Sequence, residues 1–335
     1  MLMRVTVIRP GDLGPSEAAL WAQFQQLSPV MLNPFLSLTY VQVVGRARSN
    51  ARIAVVEENG QIQAFLPYEL TPRRIAMPIG WPLNNLQGFI ASGVSFDPRS
   101  VVRAASLRGW RFNAVPAEQR LLTPYHYRDA AVLCQVIDLS GGYASYLQNR
   151  PRSIRREAGR TRRAAERAIG PLSLEWRSRN PEHLRRLMEW KSAKYEGTQR
   201  LLADPTSMRI LEELMVTDNP ECSGVLSLLF AGNRMLAADY KLQSNSTCYG
   251  WFTGYDSTLS HYALGTMILL AVAEAADRGC VDGLDLGPGQ DNYKRRLGNR
   301  TYPVNGGVVW SCRLEGMVRA GYRWLVHERS AHSTG

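Results

Sequence analysis

Asp285-Leu286-Gly287-Pro288-Gly289-Gln290-Asp291-Asn292-Tyr293-Lys294 puts a carboxylate, a phenol and an amine in one short stretch. It reads as a buried strand ending in an acid, a Gly-Pro-Gly turn, and a short basic helix that opens with an adjacent Tyr-Lys pair. A strand that hands over to a helix through glycine presents backbone N–H groups and polar side chains at the sheet's carboxyl edge, a common place for ligands. Groups of these types can move a proton or hold an anion. A plain connector with a solvated basic face has the same pattern, so both readings stand. His261, just ahead of an apolar helix, carries an imidazole and suits a base, although a plain surface histidine fits the same place. Lys191 lies one turn before Tyr195 and could line a cleft, although a solvated lysine fits equally well.

The elements that must position these groups are bounded by composition. The chain has 335 residues, 45% of them apolar, enough for two ordinary domains and a substantial core. Its net charge of +11 points to an anionic partner: nucleic acid, a nucleotide-bearing cofactor or an acidic membrane surface. Five scattered cysteines without a CxxC pair, and five scattered histidines, give no metal cluster and no disulfide framework, which suits a reducing cytoplasm. No signal-peptide run opens the sequence, and the apolar helix Ala263–Ala276 is too short for a membrane span.

Along the chain, a first strand is expected at Val5–Ile8, then a helix with an N-cap at Ser16 and a second helix over Ser37–Val44. Strands at Arg52–Glu57 and Gln61–Leu70 join through Asn59-Gly60, a strong hairpin signal. Trp81-Pro82-Leu83-Asn84-Asn85-Leu86 is either a pocket-lining loop or mere connection. A short helix at Val101–Leu107 and a closing strand at Ala131–Leu139 end the first half. Arg150, Arg152, Arg155, Arg156, Arg160, Arg162, Arg163 and Arg167 then mark a largely solvated basic helix between two packed halves. Asn180-Pro181-Glu182 and Asp204-Pro205 open two more helices. Strands follow at Val225–Phe230, Met235–Leu242 and Cys248–Tyr255, then the apolar helix closed by Gly279, the strand Gly283–Leu286, a strand at Tyr302–Trp310, and a terminal helix near Met317–Val326. At an offset of 172 residues, Gly60 meets Gly232, Tyr68 meets Tyr240 and Leu70 meets Leu242, a hint of internal repetition.

Trp190-Lys191-Ser192-Ala193-Lys194-Tyr195, Ala237-Ala238-Asp239-Tyr240, Gly250-Trp251-Phe252-Thr253-Gly254-Tyr255-Asp256, Leu264-Gly265-Thr266 and Asp285…Tyr293-Lys294 occur in a telling order. Together they resemble the GNAT acyltransferases, more narrowly the branch tied to cellulose or exopolysaccharide biosynthesis and related to the tandem Fem peptidyltransferases. Asn33-Pro34-Phe35-Leu36-Ser37 and Ala64-Phe65-Leu66-Pro67 extend the likeness into the first half. The resemblance implies an α+β fold of two tandem GNAT-like modules, with mixed, mostly antiparallel sheets flanked by helices. The modules would span 1–140 and 171–335, joined by the basic helix at 141–170.

The same resemblance implies acyl-CoA, acetyl-CoA first, as co-substrate. Its pantetheine would lie between the strands at Cys248–Tyr255 and Gly283–Leu286, with Tyr255 alongside and pyrophosphate at Leu264, Gly265 and Thr266. Ser260-His261-Tyr262-Ala263-Leu264-Gly265-Thr266 departs from the usual Arg/Gln-x-x-Gly-x-Gly/Ala loop, having one of its glycines only. Acyl transfer to an amine needs a base, a group that polarises the thioester carbonyl, and an acid for the thiolate. Asp239 or His261 is the expected base, Tyr293 the acid, Lys294 an anion contact, and Asp285 an orienting carboxylate. Lys191, Tyr195, Trp251 and Gln290 are the expected substrate contacts. The acceptor would be the amine of an amino sugar, an amino acid or a small natural product. Two alternatives stay open: a Fem-like ligase that uses aminoacyl-tRNA, and a non-catalytic scaffold in envelope polysaccharide assembly.

Overall fold

Local chemistry sets the turns and helix starts. Asn59 and Gly60 both take positive φ, 53° and 79°, as a two-residue hairpin turn requires. Ser37, Asp97, Asn180 and Asp204 each accept a backbone N–H in the first turn of the helix they open. The first helix starts two residues earlier than Ser16 suggests, with Gly14 as cap and Pro15 at its first position.

The computed structural model describes residues 3–127, 131–193, 196–279, 281–289 and 291–312, so the expected terminal helix at 317–326 lies outside the described residues. The first half runs β1 (Met3–Ile8), α1 (Pro15–Gln25), α2 (Leu38–Ala47), β2 (Ala51–Glu58), β3 (Gln61–Leu70), β4 (Ile75–Pro78), β5 (Ile90–Ala91), α3 (Pro98–Ala104), β6 (Gly109–Pro116), a 3-10 turn at Arg120–Tyr125 and β7 (Val132–Asp138). Pro151 separates the two helices that follow, α4 (Tyr143–Gln148) and α5 (Arg152–Ile169). The second half runs β8 (Leu172–Glu175), α6 (Pro181–Ser192), α7 (Glu196–Leu202), α8 (Pro205–Val216), β9 (Ser223–Ala231), β10 (Arg234–Ser244), β11 (Thr247–Tyr255), α9 (Leu264–Arg278), β12 (Gly283–Pro288), α10 (Asn292–Leu297) and β13 (Arg300–Trp310).

The halves are repeats. Ala51 opens β2 and Ser223 opens β9, 172 positions apart, and Arg120 and Asn292 begin the 3-10 turn and α10 at the same offset. The strands join one mixed sheet in the order β1-β2-β3-β4-β6-β13-β7-β12-β11-β10-β9-β8, with β5 beside β3. Pairs are antiparallel except β4–β6 and β11–β12. The last strand of each half is exchanged. β7, expected to close the first half, pairs with β12 of the second, while β13 pairs with β6 of the first, and β7 and β13 pair with each other.

Helices cover both faces. On one face α1 and α2 of the first half and α6 and α8 of the second share a single core that includes Trp21, Phe35, Tyr40, Leu187, Leu211 and Tyr240. On the other, α9 covers a core with Leu264, Ile268 and Val272, and α3 a separate one with Trp110 and Phe112. The basic helix is more than a solvated joint: Ile154 and Ala165 of α5 are buried in the core beneath α9.

Candidate active site

The parallel pair β11–β12 is short. Its register covers Thr247–Tyr249 against Gly283–Asp285 and stops there, although both strands continue. At the same level β11 is bulged between its partners Gly250 and Phe252, which turns its alternation over at Trp251. Gly250 is required at this point, because a Cβ there would stand 2.8 Å from the Asp285 carbonyl oxygen. The first half reaches across to the bulge: Asn85 Nδ2 donates to the Gly250 carbonyl at 3.1 Å, and Trp251 Nε1 donates to the Leu83 carbonyl at 2.8 Å. The Trp81–Leu86 stretch is therefore a loop of one repeat that borders the gap in the other.

Asp285 is the last paired residue of β12 before the gap, and it is buried. Its neighbours Leu284 and Leu286 belong to the core under α9, so strand alternation turns Asp285 to the opposite face. Its Oδ1 accepts the Gly287 N–H at 2.6 Å, and its Oδ2 accepts the Tyr302 hydroxyl at 2.5 Å. Gly287 has φ +76°, the left-handed conformation that aims this N–H back. Burial pushes the Asp285 carboxyl above its ordinary range, opposed by the Tyr302 hydroxyl, the Gly287 N–H and the Lys294 ammonium. Lys294 is buried on α10; its Nζ donates to the Pro288 carbonyl at 2.8 Å and lies 3.7 Å from Asp291 Oδ2. Burial lowers the Lys294 pKa, with Asp291 and then Asp285 pulling it back. Cys134 of β7 completes the cluster, its thiol pushed up to about 12 by burial and by the Asp285 charge. Burial and the same charge raise the Tyr302 and Tyr249 hydroxyls. The arrangement is a proton-accepting carboxylate in a low-dielectric setting, held by two hydrogen bonds and balanced by a neighbouring cation.

Residues 152–295 match the family model described as "Acetyltransferase (GNAT) domain". This segment is a GNAT acetyltransferase-type domain. Sequence comparison with curated proteins gives no match. Among solved structures, the chain resembles a tandem GNAT protein from the clavulanic acid biosynthesis pathway, with a TM-score of 0.56, 12% identity, and 93% of this chain and 99% of that chain covered. It also resembles FemX, with a TM-score of 0.53, 11% identity, and coverage of 81% and 90%. L-PGS from Bacillus licheniformis gives 0.55 at 9% identity, covering 91% and 94%. At such identities these likenesses show the fold alone, and that fold is the tandem GNAT arrangement. The GNAT domain marks the chain as an acyltransferase.

Within the GNAT domain the expected site residues separate into groups. Asp285 and Lys294 come together, and Tyr293 stands beside Lys294 on α10, 39% exposed. Asp239 does not join them. It is fully buried on β10 with its Oδ1 accepting the Thr253 hydroxyl at 2.6 Å and its Oδ2 2.6 Å from Lys241 Nζ, itself 1% exposed. Ala238 and Tyr240 belong to the core shared with α8, so alternation turns Asp239 to the α9 side, away from the face of Asp285. His261 is exposed on the 3-10 turn before α9, its ring 4.0 Å from that of Tyr262. Ala263 caps α9 at φ +51°, where the family loop has glycine, and the helix tip offers the N–H groups of Leu264 and Gly265. The Leu264 side chain is buried in the core, Tyr255 packs against Gly265, and Thr266 lies on the α9 flank. Trp251 is a packing residue, its ring 5.3 Å from Tyr240 and 5.5 Å from Phe35. Lys191 sits half-buried in the last turn of α6. Tyr195 and Gln290 lie outside the described residues.

The sequence reading missed Tyr302, Cys134 and Lys241. Lys241 was legible in principle, since it follows Asp239 by two residues and so shares its face. Tyr302 and Cys134 are directly paired across β13 and β7. Only the exchange of the terminal strands brings them to Asp285, and no local pattern announces that exchange.

Proposed function

We propose that the protein is an N-acyltransferase that moves an acyl group from acyl-CoA, acetyl-CoA first, to the amine of an amino sugar, amino acid or small natural-product acceptor. The observation that carries this reading is the buried Asp285–Tyr302–Lys294 cluster, placed where β11 and β12 part within a GNAT domain. Asp285 takes a proton from the acceptor ammonium, and its raised pKa suits that role near neutral pH. The freed amine attacks the thioester carbonyl; the C–N bond forms and the C–S bond breaks. Tyr293, partly exposed on α10, gives the departing thiolate its proton. The Lys294 ammonium offsets negative charge that develops beside it. The pyrophosphate of the donor rests on the α9 tip at Gly265 and Thr266. We further propose that the modules divide at about 1–140 and 171–335, that the enzyme works in the cytoplasm, and that its product belongs to polysaccharide or natural-product synthesis.

A thermal-shift panel of CoA thioesters tests the donor. Acetyl-CoA at one hundred times its Kd should stabilise the fold by about 2.7 kcal/mol. Thiol release measured across a panel of amines then identifies the acceptor. No shift with any thioester, together with RNA that co-purifies, would replace this reading with the Fem-like one, for which the FemX-like fold is the supporting observation. Neither signal would leave the scaffold.

A further inference from the structure

Helix α5 is two-faced. Ile154 and Ala165 are buried beneath α9, while Arg152, Arg155, Arg156, Arg160, Arg163 and Arg167 are exposed. Between α5, α9 and the edge strand β8 lies a groove of about 490 Å³, within the range of small-molecule sites. Its floor is aliphatic: Ile154, Leu172, Leu174, Leu229, Met267 and Leu270. Its rim carries Arg155, Arg162, Arg278 and Arg296, drawn from three helices. Glu274 is the one acid among the described lining residues, and Arg162 meets it at 4.0 Å. The groove opens on the α9 face of the sheet, opposite the Asp285 carboxylate.

An apolar trough with a rim of one sign matches a molecule built of the same two parts, a hydrocarbon chain and an anionic head. We propose that this groove takes an acyl chain of an anionic phospholipid, with the exposed arginines of α5 resting on the bilayer surface that presents it. A bound nucleic acid would use the arginines but not the floor. Stacking platforms for bases need aromatic rings, and Tyr143 is the only ring among the described lining residues. Basic side chains at an anionic bilayer and an apolar face set into its acyl boundary are the two halves of interfacial binding. Thr266, at the α9 tip proposed for the donor pyrophosphate, also lines this groove, so the two sites meet at that residue.

The test is co-sedimentation of the full chain with phosphatidylglycerol/phosphatidylcholine vesicles and with pure phosphatidylcholine vesicles, alongside a thermal shift with dihexanoyl-phosphatidylglycerol as a soluble probe. Binding to the anionic vesicles alone is expected, weakening with salt and falling about fivefold for each of Arg155→Gln and Arg278→Gln. Gly159 lines the groove on α5, and the nearest atoms to a Cβ there belong to the Arg163 side chain, at 3.5 Å or more. Gly159→Leu therefore fills the groove while improving helix propensity, and it should abolish the shift with the soluble lipid. Equal binding to both vesicle types, or to neither, overturns the proposal. An unchanged lipid shift in Gly159→Leu reduces the interaction to surface charge and also overturns it. RNA that binds in place of vesicles, or Gly159→Leu that loses acetyl-CoA binding and keeps the lipid, assigns the groove to another ligand.

Discussion

Tyr302→Phe removes one hydroxyl, whose hydrogen bond to Asp285 is 2.5 Å long. A hydrogen bond to a charged group contributes roughly 1.5–3 kcal/mol. At 1.36 kcal/mol per pKa unit, its loss shifts the carboxyl by about 1–2 units. The bond favours the ionised form, so the shift is upward, adding to the rise that burial already causes. In the proposed mechanism the ionised form is the base, hence kcat/KM should climb as pH passes through this pKa, and its acid limb should move up by about 1–2 pH units. The high-pH plateau should stay within a few fold, because the carboxylate is still there once ionised. Stability follows the same linkage. A folded-state pKa above the unfolded value gives a contribution that is full below the unfolded pKa and lost as pH rises through the folded one. Tyr302→Phe widens that window, and Asp285→Asn should remove the dependence. The assay is thiol release from acyl-CoA with saturating amine, measured from pH 5 to 10, with melting temperatures at each pH. A plateau that falls while the limb stays fixed would refute Asp285 as the titrating base.

Lys294→Met should lower kcat/KM by roughly 10²–10³ in the same assay, with the fold retained, since the ammonium serves charge that appears in the reaction. Tyr293→Phe should slow turnover more than it changes acyl-CoA affinity, read as kcat against the thermal-shift Kd. Gly250→Ala would set a Cβ 2.8 Å from the Asp285 carbonyl, which should destabilise by roughly 1–3 kcal/mol and remove the acyl-CoA shift. Arg48 ties the halves together, its guanidinium 2.8 Å from Glu69 and 3.0 Å from Asp204. Arg48→Met leaves Glu69 buried without its cation, and urea unfolding should show a loss of about 3 kcal/mol.

Helices α6 and α8 and the elements from β9 to β13 were legible because each follows a local rule. Asn180-Pro181 and Asp204-Pro205 open helices where expected, and Gly279 closes α9. The strands β4, β6 and β8 were not legible. Gly109–Pro116 carries exposed Arg111 and Asn113 between buried aromatics, and its pairing partner β13 lies almost two hundred residues further on. The site divides in the same way. Asp285 and Lys294 sit within one strand-turn-helix unit, so their spacing announced them. Asp239 looked equally acidic in sequence, but its worth as a base depended on Lys241 and Thr253, contacts that need the register of β10 and β11.

The first module does not repeat this cluster in its sequence. At the offset of 172 residues, Asp285 corresponds to Asn113, Tyr293 to Leu121 and Lys294 to Leu122. Leu122 is fully buried among Phe112 and other apolar side chains, and β6 carries Trp110 with Phe89 5.2 Å and Phe112 4.9 Å from its ring. Apolar packing thus fills the first module's counterpart of Lys294, while Asn113, the counterpart of Asp285, is exposed. The first module contributes to the Asp285 surroundings through two extensions: the loop that reaches Gly250 and Trp251, and β7, which carries Cys134 beside Asp285. The Asp285–Lys294 pair sits in one repeat, but the walls around it come from both. Separating the halves should therefore abolish activity even if each half folds.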